Sequence, residues 1–153
     1  MKRRTNFSCL CKGKWMKELF VANLLVLTSF AAHATGETIT IYKDPQCGCC
    51  TAWANHMRRA GYKLKVVDSK DMSAIKKRLG VPDSLQSCHT GLVEATGQVI
   101  EGHVPAPVVA KLIASKPTKG VAVPGMPANS PGMGKMDGKL VTVDFVGKDF
   151  SQD

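Results

Sequence analysis

The chain has no apolar run long enough to cross a membrane: the stretch from Leu19 to Ala32 is well short of the roughly 20 residues a spanning helix needs. It has few aromatics, 6% of residues, and past residue 34 its lysines and arginines are scattered. A nucleic-acid face of basic side chains interleaved with aromatics is therefore excluded. No internal repeat is evident, which leaves one small domain as the frame.

What the N-terminus does have is a basic segment, Lys2, Arg3, Arg4, Lys12, Lys14 and Lys17, ahead of the apolar run. Ala32-His33-Ala34 then supplies a small-x-small cleavage site. This is the layout of a cleaved secretory signal peptide, residues 1–34, and it implies a periplasmic protein with no stable membrane insertion after cleavage. Thr35, and not a cysteine, stands immediately after the cleavage site, so a lipid anchor is not expected. The basic segment is long, and Met16 offers an alternative start; in either case Cys9 and Cys11 are lost. Six of the 21 basic and one of the 12 acidic residues lie in the leader, so the mature chain carries +4 of the whole-chain +9.

Four cysteines remain: Cys47, Cys49, Cys50 and Cys88. An even count in an exported protein usually means disulfides. Neighbours such as Cys49 and Cys50 bridge only through a strained ring, so a purely structural framework is an odd use of this spacing. Three sulfurs within Cys47-Gly48-Cys49-Cys50 exceed what packing requires and point to a soft-metal or thiol site.

The elements around them read in order. Thr38 to Tyr42 alternates and is β-branched, a first strand, and Lys43-Asp44-Pro45-Gln46 turns the chain. Trp53, Met57 and Ala60 recur at helical spacing up to Gly61. Leu64 to Val67 is a second strand; Met72, Ile75 and Leu79 mark a short helix closed by Gly80 and Pro82. Thr90 to Val93 and Gln98 to Glu101 form a hairpin, and a last helix begins near Pro105 or Pro107 and stops before Pro117. The class is α/β, a thioredoxin-like β-α-β-α-β-β-α domain over 38–116, with a Gly/Pro/Met-rich C-terminal extension over 117–153. Residues 120–138 read as loop, and Leu140 to Phe145 as a terminal strand. Lys76-Lys77-Arg78 reads as a solvated helix face.

A cysteine just ahead of a helix has its thiolate stabilised by the unpaired N–H groups there, which suits both disulfide exchange and soft-metal ligation. The remaining donors lean towards metal. Cys88-His89 precedes the third strand, in the slot where a thioredoxin-like fold places a cis-proline loop against the cysteines. His103 follows the hairpin, and Met126 and Met133 sit in loop where packing explains them less well. Cysteine, histidine and methionine together suit copper(I) better than a hard cation. The plainer alternatives are a disulfide pair with spare thiols, Cys88 as a structural disulfide partner, ordinary loop histidines and a disordered tail. His56 reads as structural, since a helix carries it about 10 Å along the axis from Cys49. Trp53, Met57 and Met72 read as core.

Several motifs agree in order with one family. Lys43-Asp44-Pro45 before the cysteine cluster, Ser87-Cys88-His89-Thr90, Glu101-Gly102-His103-Val104-Pro105, Val123-Pro124-Gly125-Met126-Pro127 and Ser130-Pro131-Gly132-Met133 resemble the CopG-like family of periplasmic copper-resistance proteins. The resemblance implies a thioredoxin-like domain holding a cysteine-bridged multicopper cluster on Cys47, Cys49, Cys50 and Cys88, with histidine and methionine donors. It also implies work beside copper-export or copper-resistance proteins of the periplasm, and interconversion of copper(I) and copper(II). The rival expectation is a thiol-disulfide oxidoreductase in which Cys47 attacks and Cys50 resolves; a third is a copper chaperone.

Overall fold

The computed structural model describes residues 36–153, so the expected leader lies outside the described residues. Thr38–Lys43 forms β1, whose Ile39 and Ile41 are wholly buried. Gly48–Arg59 forms α1, burying Cys50, Trp53, Ala54 and Met57 at helical spacing. It starts ahead of the Trp53 periodicity, so Cys47 is its N-cap and Cys49 and Cys50 fall in its first turn. Lys63–Asp68 is β2, and Met72–Arg78 is α2, whose Asp71 carboxylate accepts from the Ala74 N–H at 3.0 Å as an N-cap. His89–Val93 and Val99–Glu101 are β3 and β4, and Ala106–Ala114 is α3. The expected β-α-β-α-β-β-α order is realised.

The sheet continues beyond it. Gly120–Ala122 is β5, Val141–Asp144 is β6 and Asp149–Gln152 is β7, giving the order β2-β1-β3-β4-β5-β6-β7. β1 pairs parallel with β2 and antiparallel with β3; β3 and β4 are antiparallel, β4 and β5 parallel. This corrects the reading of 120–138 as loop throughout: Val121, Ala122 and Val123 are fully buried and complete the core beside Ile100 and Leu112. The run is too short to show a strand period, and its partner, β4, is distant in sequence.

Lys76 corrects a second reading. It is only 5% exposed, and its ammonium pairs with the fully buried Glu101 carboxylate instead of lying on a solvated face. Met57 is core as expected, whereas Met72 is half-buried. No helix among the described residues is long and apolar enough to cross a membrane.

Register places the site. Lys43, the last residue of β1, pairs with His89, the first of β3; Thr90 pairs with Glu101, the last of β4. The turn after β1, the segment before β3 and the loop after β4 therefore meet at one end of the sheet. They carry Cys47 to Cys50, Cys88-His89 and His103.

Candidate metal centre

Two overlapping donor sets form at this end: Cys47, Cys49, Cys50 and Cys88, and Cys50, Cys88, His89 and His103. In each set the ligand atoms lie within 4.8 Å of one another. Cys47 and Cys50 are joined as a disulfide, while Cys49 and Cys88 are free thiols. The Cys47 and Cys49 sulfurs are 3.5 Å apart, and Cys50 Sγ lies 3.9 Å from the Cys88 carbonyl. A disulfide sulfur carries no thiolate, so full use of the first set requires two-electron reduction of the Cys47–Cys50 bond. The described structure thus holds the plainer pairing weighed above, with the spare thiols and both histidines gathered against it.

Hydrogen bonds fix the histidines. The Pro131 carbonyl accepts from His103 Nδ1 at 2.7 Å, so the ring proton sits on Nδ1 and the Nε2 lone pair faces Cys88 Sγ at 3.1 Å. A backbone carbonyl that sets the tautomer in this way is the usual support behind a ligating imidazole. His89 Nδ1 is 3.4 Å from the same sulfur, and its Nε2 is buried with no partner. Burial, then the neighbouring His103 and Lys76, hold the His89 pKa well below its ordinary value. Burial likewise lowers His103. Both rings are neutral at physiological pH and present lone pairs. Burial, then Cys49, pushes the Cys88 thiol up to about 12, so without metal its S–H donates to His103 Nε2.

Trp53 forms one wall of the site. Trp53 is fully buried, its indole N–H donates to the Val104 carbonyl at 2.8 Å, and its ring stands 4.4 Å from that of His89. The His89 and His103 rings are 5.1 Å apart. Buried neutral imidazoles, one orphaned nitrogen and four sulfurs fit a soft, thiophilic cation, and they offer more donors than one ion takes. No peptide bond among the described residues is cis, so the slot before β3 is filled by Cys88-His89 and not by a cis-proline.

Met126 and Met133 are 43% and 42% exposed. Met133 follows Gly132, where an added Cβ would stand 2.7 Å from the Trp53 N and 3.1 Å from the Cys49 carbonyl oxygen of α1. Met126 adopts a left-handed φ of 50° in the preceding turn. His56 lies elsewhere, accepting the Ala106 N–H at the start of α3, 3.3 Å away. Two supports escaped the sequence reading. The Pro131 carbonyl left no side-chain signal beyond the adjoining glycine, and the Lys76–Glu101 pair was hidden in a charge run.

A family profile described as a protein of unknown function, DUF411, matches residues 85–133, which hold Cys88 and both histidines. No curated protein matches the chain. Two solved structures do. One titled copper resistance protein CopG, form 1, is 40% identical with a TM-score of 0.68, covering 76% of this chain and 97% of that one. The form 2 structure gives the same identity and score, covering 77% and 98%. The chain is a member of the CopG family of copper resistance proteins.

Proposed function

We propose that this chain is an exported, periplasmic copper-binding protein that contributes to copper resistance, with Cys47, Cys49, Cys50 and Cys88 bridging copper(I) and His89 and His103 completing its coordination. The observation that carries the reading is the convergence of six soft or borderline donors in two sets sharing Cys50 and Cys88. Thiolate sulfur bridges neighbouring ions, so the shared residues join the two sets into one multinuclear site. Met126 and Met133, both exposed loop thioethers, pass ions in or out as labile donors.

The cysteines also supply the electrons for an oxidation-state change. Closing the Cys47–Cys50 disulfide from two thiols releases two electrons and two protons, which converts two copper(II) ions to copper(I). Reopening it takes two electrons and two protons from a periplasmic dithiol, which leaves as its own disulfide, and restores the Cys47 and Cys50 sulfurs as ligands for the copper(I).

The test is metal content with free-thiol count on protein purified from the periplasm of copper-grown cells without added reductant. Several coppers per chain, lost in Cys49→Ser, are expected; no copper in reduced protein titrated with copper(I) would count against the reading. A second reading, a thiol-disulfide oxidoreductase, is favoured by the Cys47–Cys50 bond at the α1 N-terminus. Disulfide reductase activity of the metal-free protein, abolished by Cys47→Ser and untouched by Cys88→Ser, would establish it.

A further inference from the structure

The copper site leaves unexplained the most polar group in the core. Glu101 is fully buried, yet its carboxylate is saturated with partners from three other places in the chain. Oε1 accepts from the Lys76 ammonium of α2 and from the Ser87 N–H at 2.6 Å, and Oε2 accepts from the Thr90 hydroxyl at 2.7 Å. Lys76 also donates to Thr90 Oγ1 at 3.1 Å. A buried ion pair is on balance no more stabilising than apolar packing of the same volume, so stability alone does not account for it. Position does. Ser87 immediately precedes Cys88, Thr90 immediately follows His89, and His103 lies two residues past Glu101.

The backbone closes the same frame. The Gly102 N–H donates to the His89 carbonyl at 2.9 Å. Gly102 has φ +72, and a Cβ there would stand 2.6 Å from Ser87 Oγ and 2.7 Å from the Val123 carbonyl. Only glycine allows the β4 end to approach the Ser87 segment this closely.

We propose that Lys76 and Glu101 are positioning residues for the metal centre: their buried pair clamps Ser87 and Thr90 on either side of Cys88-His89 and holds that arm against His103. This rests on the metal-site reading above for its purpose, but the clamp itself is tested without metal. Apolar replacement of the pair, Lys76→Met/Glu101→Leu, keeps the volume filled and removes both charges.

The experiment measures iodoacetamide labelling of each thiol, resolved by peptide mass spectrometry, in the metal-free protein with the Cys47–Cys50 disulfide intact. Cys49, on the other arm, is the internal reference. The expected result is Cys88 labelling at least about tenfold faster with the Cys49 rate unchanged, because the arm opens locally. Copper(I) affinity, measured against a competing chelator, is expected to fall about 10–100-fold, as for loss of a supporting contact behind a ligand. A folded variant whose Cys88 rate and copper affinity both match wild type overturns the proposal, as does equal acceleration at Cys88 and Cys49, which marks general loosening. Should the double variant not fold, Thr90→Val removes one tie alone. A selective rise of Cys88 labelling of about threefold is then expected, and an unchanged rate overturns the clamp. If the wild type binds no copper at all, the metal-site reading falls and the labelling arm still decides the clamp.

Discussion

Replacing Gly132 with alanine tests whether the loop over the site is seated as described. Gly132 has φ +88, and a Cβ built on it lies 2.7 Å from the Trp53 N, 3.1 Å from the Cys49 carbonyl oxygen and 3.2 Å from the Ala52 carbonyl carbon. All three are backbone atoms of α1, so no flexible side-chain tip can give way. The left-handed backbone disfavours an L side chain by about 1–2 kcal/mol. Relief of the clash carries Pro131 away and breaks its 2.7 Å bond to His103. Leaving that buried ring N–H without a partner costs about 1–3 kcal/mol. Alanine also stiffens the unfolded chain, which offsets about 0.4–1 kcal/mol. The net loss expected is about 1–5 kcal/mol, read by urea denaturation of the metal-free protein.

Gly125→Ala is the matched control. It is also left-handed, φ +76, but a Cβ there has nothing within 4 Å, so only the backbone strain remains. With His103 released from its fixed tautomer, Gly132→Ala is also expected to lower copper(I) affinity about 10–100-fold, whereas Gly125→Ala leaves it unchanged. If the two variants lose the same stability and bind copper alike, the loop does not brace His103 and this account of the site's support is wrong.

Three further outcomes follow from the same geometry. The metal-free chain without the leader that holds Cys9 and Cys11 should show two free thiols, Cys49 and Cys88, by dye titration under denaturing conditions, rising to four after reduction, with copper(I) capacity rising in step. Stability of the metal-free protein should fall as pH drops below about 6.5, the ordinary histidine value. The unfolded chain takes up protons there that His89, His103 and His56, all with lowered pKa values, refuse. Urea midpoints followed from neutral pH down to about 5.5, above the carboxylate range, check it; a flat wild-type profile, or an undiminished slope in His89→Gln, refutes the assignment. Finally, Lys76→Met alone should cost about 3–5 kcal/mol, because it strands a buried carboxylate, and adding Glu101→Leu should recover most of that; equal losses in single and double variants would show that the pair is not coupled.

Much of this was legible in the sequence, for identifiable reasons. The first strand announces itself because Ile39 and Ile41 alternate with polar partners, and α1 because Trp53 and Met57 recur at helical spacing, whereas Ala60, the third residue of that pattern, is its exposed C-cap. The donors stood out because three sulfurs in four residues and Cys88-His89 have no packing rationale. What stayed hidden depends on distant partners. β5 is a strand because β4 offers it a ladder, and Gly120, Val121 and Ala122 show no period of their own. Lys76 looks like its neighbours Lys77 and Arg78 until Glu101, 25 residues on, is folded beside it.

The two halves of the centre differ in what restrains them. Cys88, His89 and His103 stand on strand ends tied by Glu101, Gly102 and the Pro131 carbonyl, so their spacing is fixed by the sheet. Cys47 and Cys50 are spaced instead by the first turn of α1, which brings them close enough for a disulfide without involving a strand. Opening or closing that bond therefore changes the number of available thiolates while the strand-borne donors stay in place. A site built this way gains or loses soft donors at one edge with little rearrangement of the fold. That property suits the copper-holding role proposed above, because thiol oxidation then adjusts the donor count at one edge only.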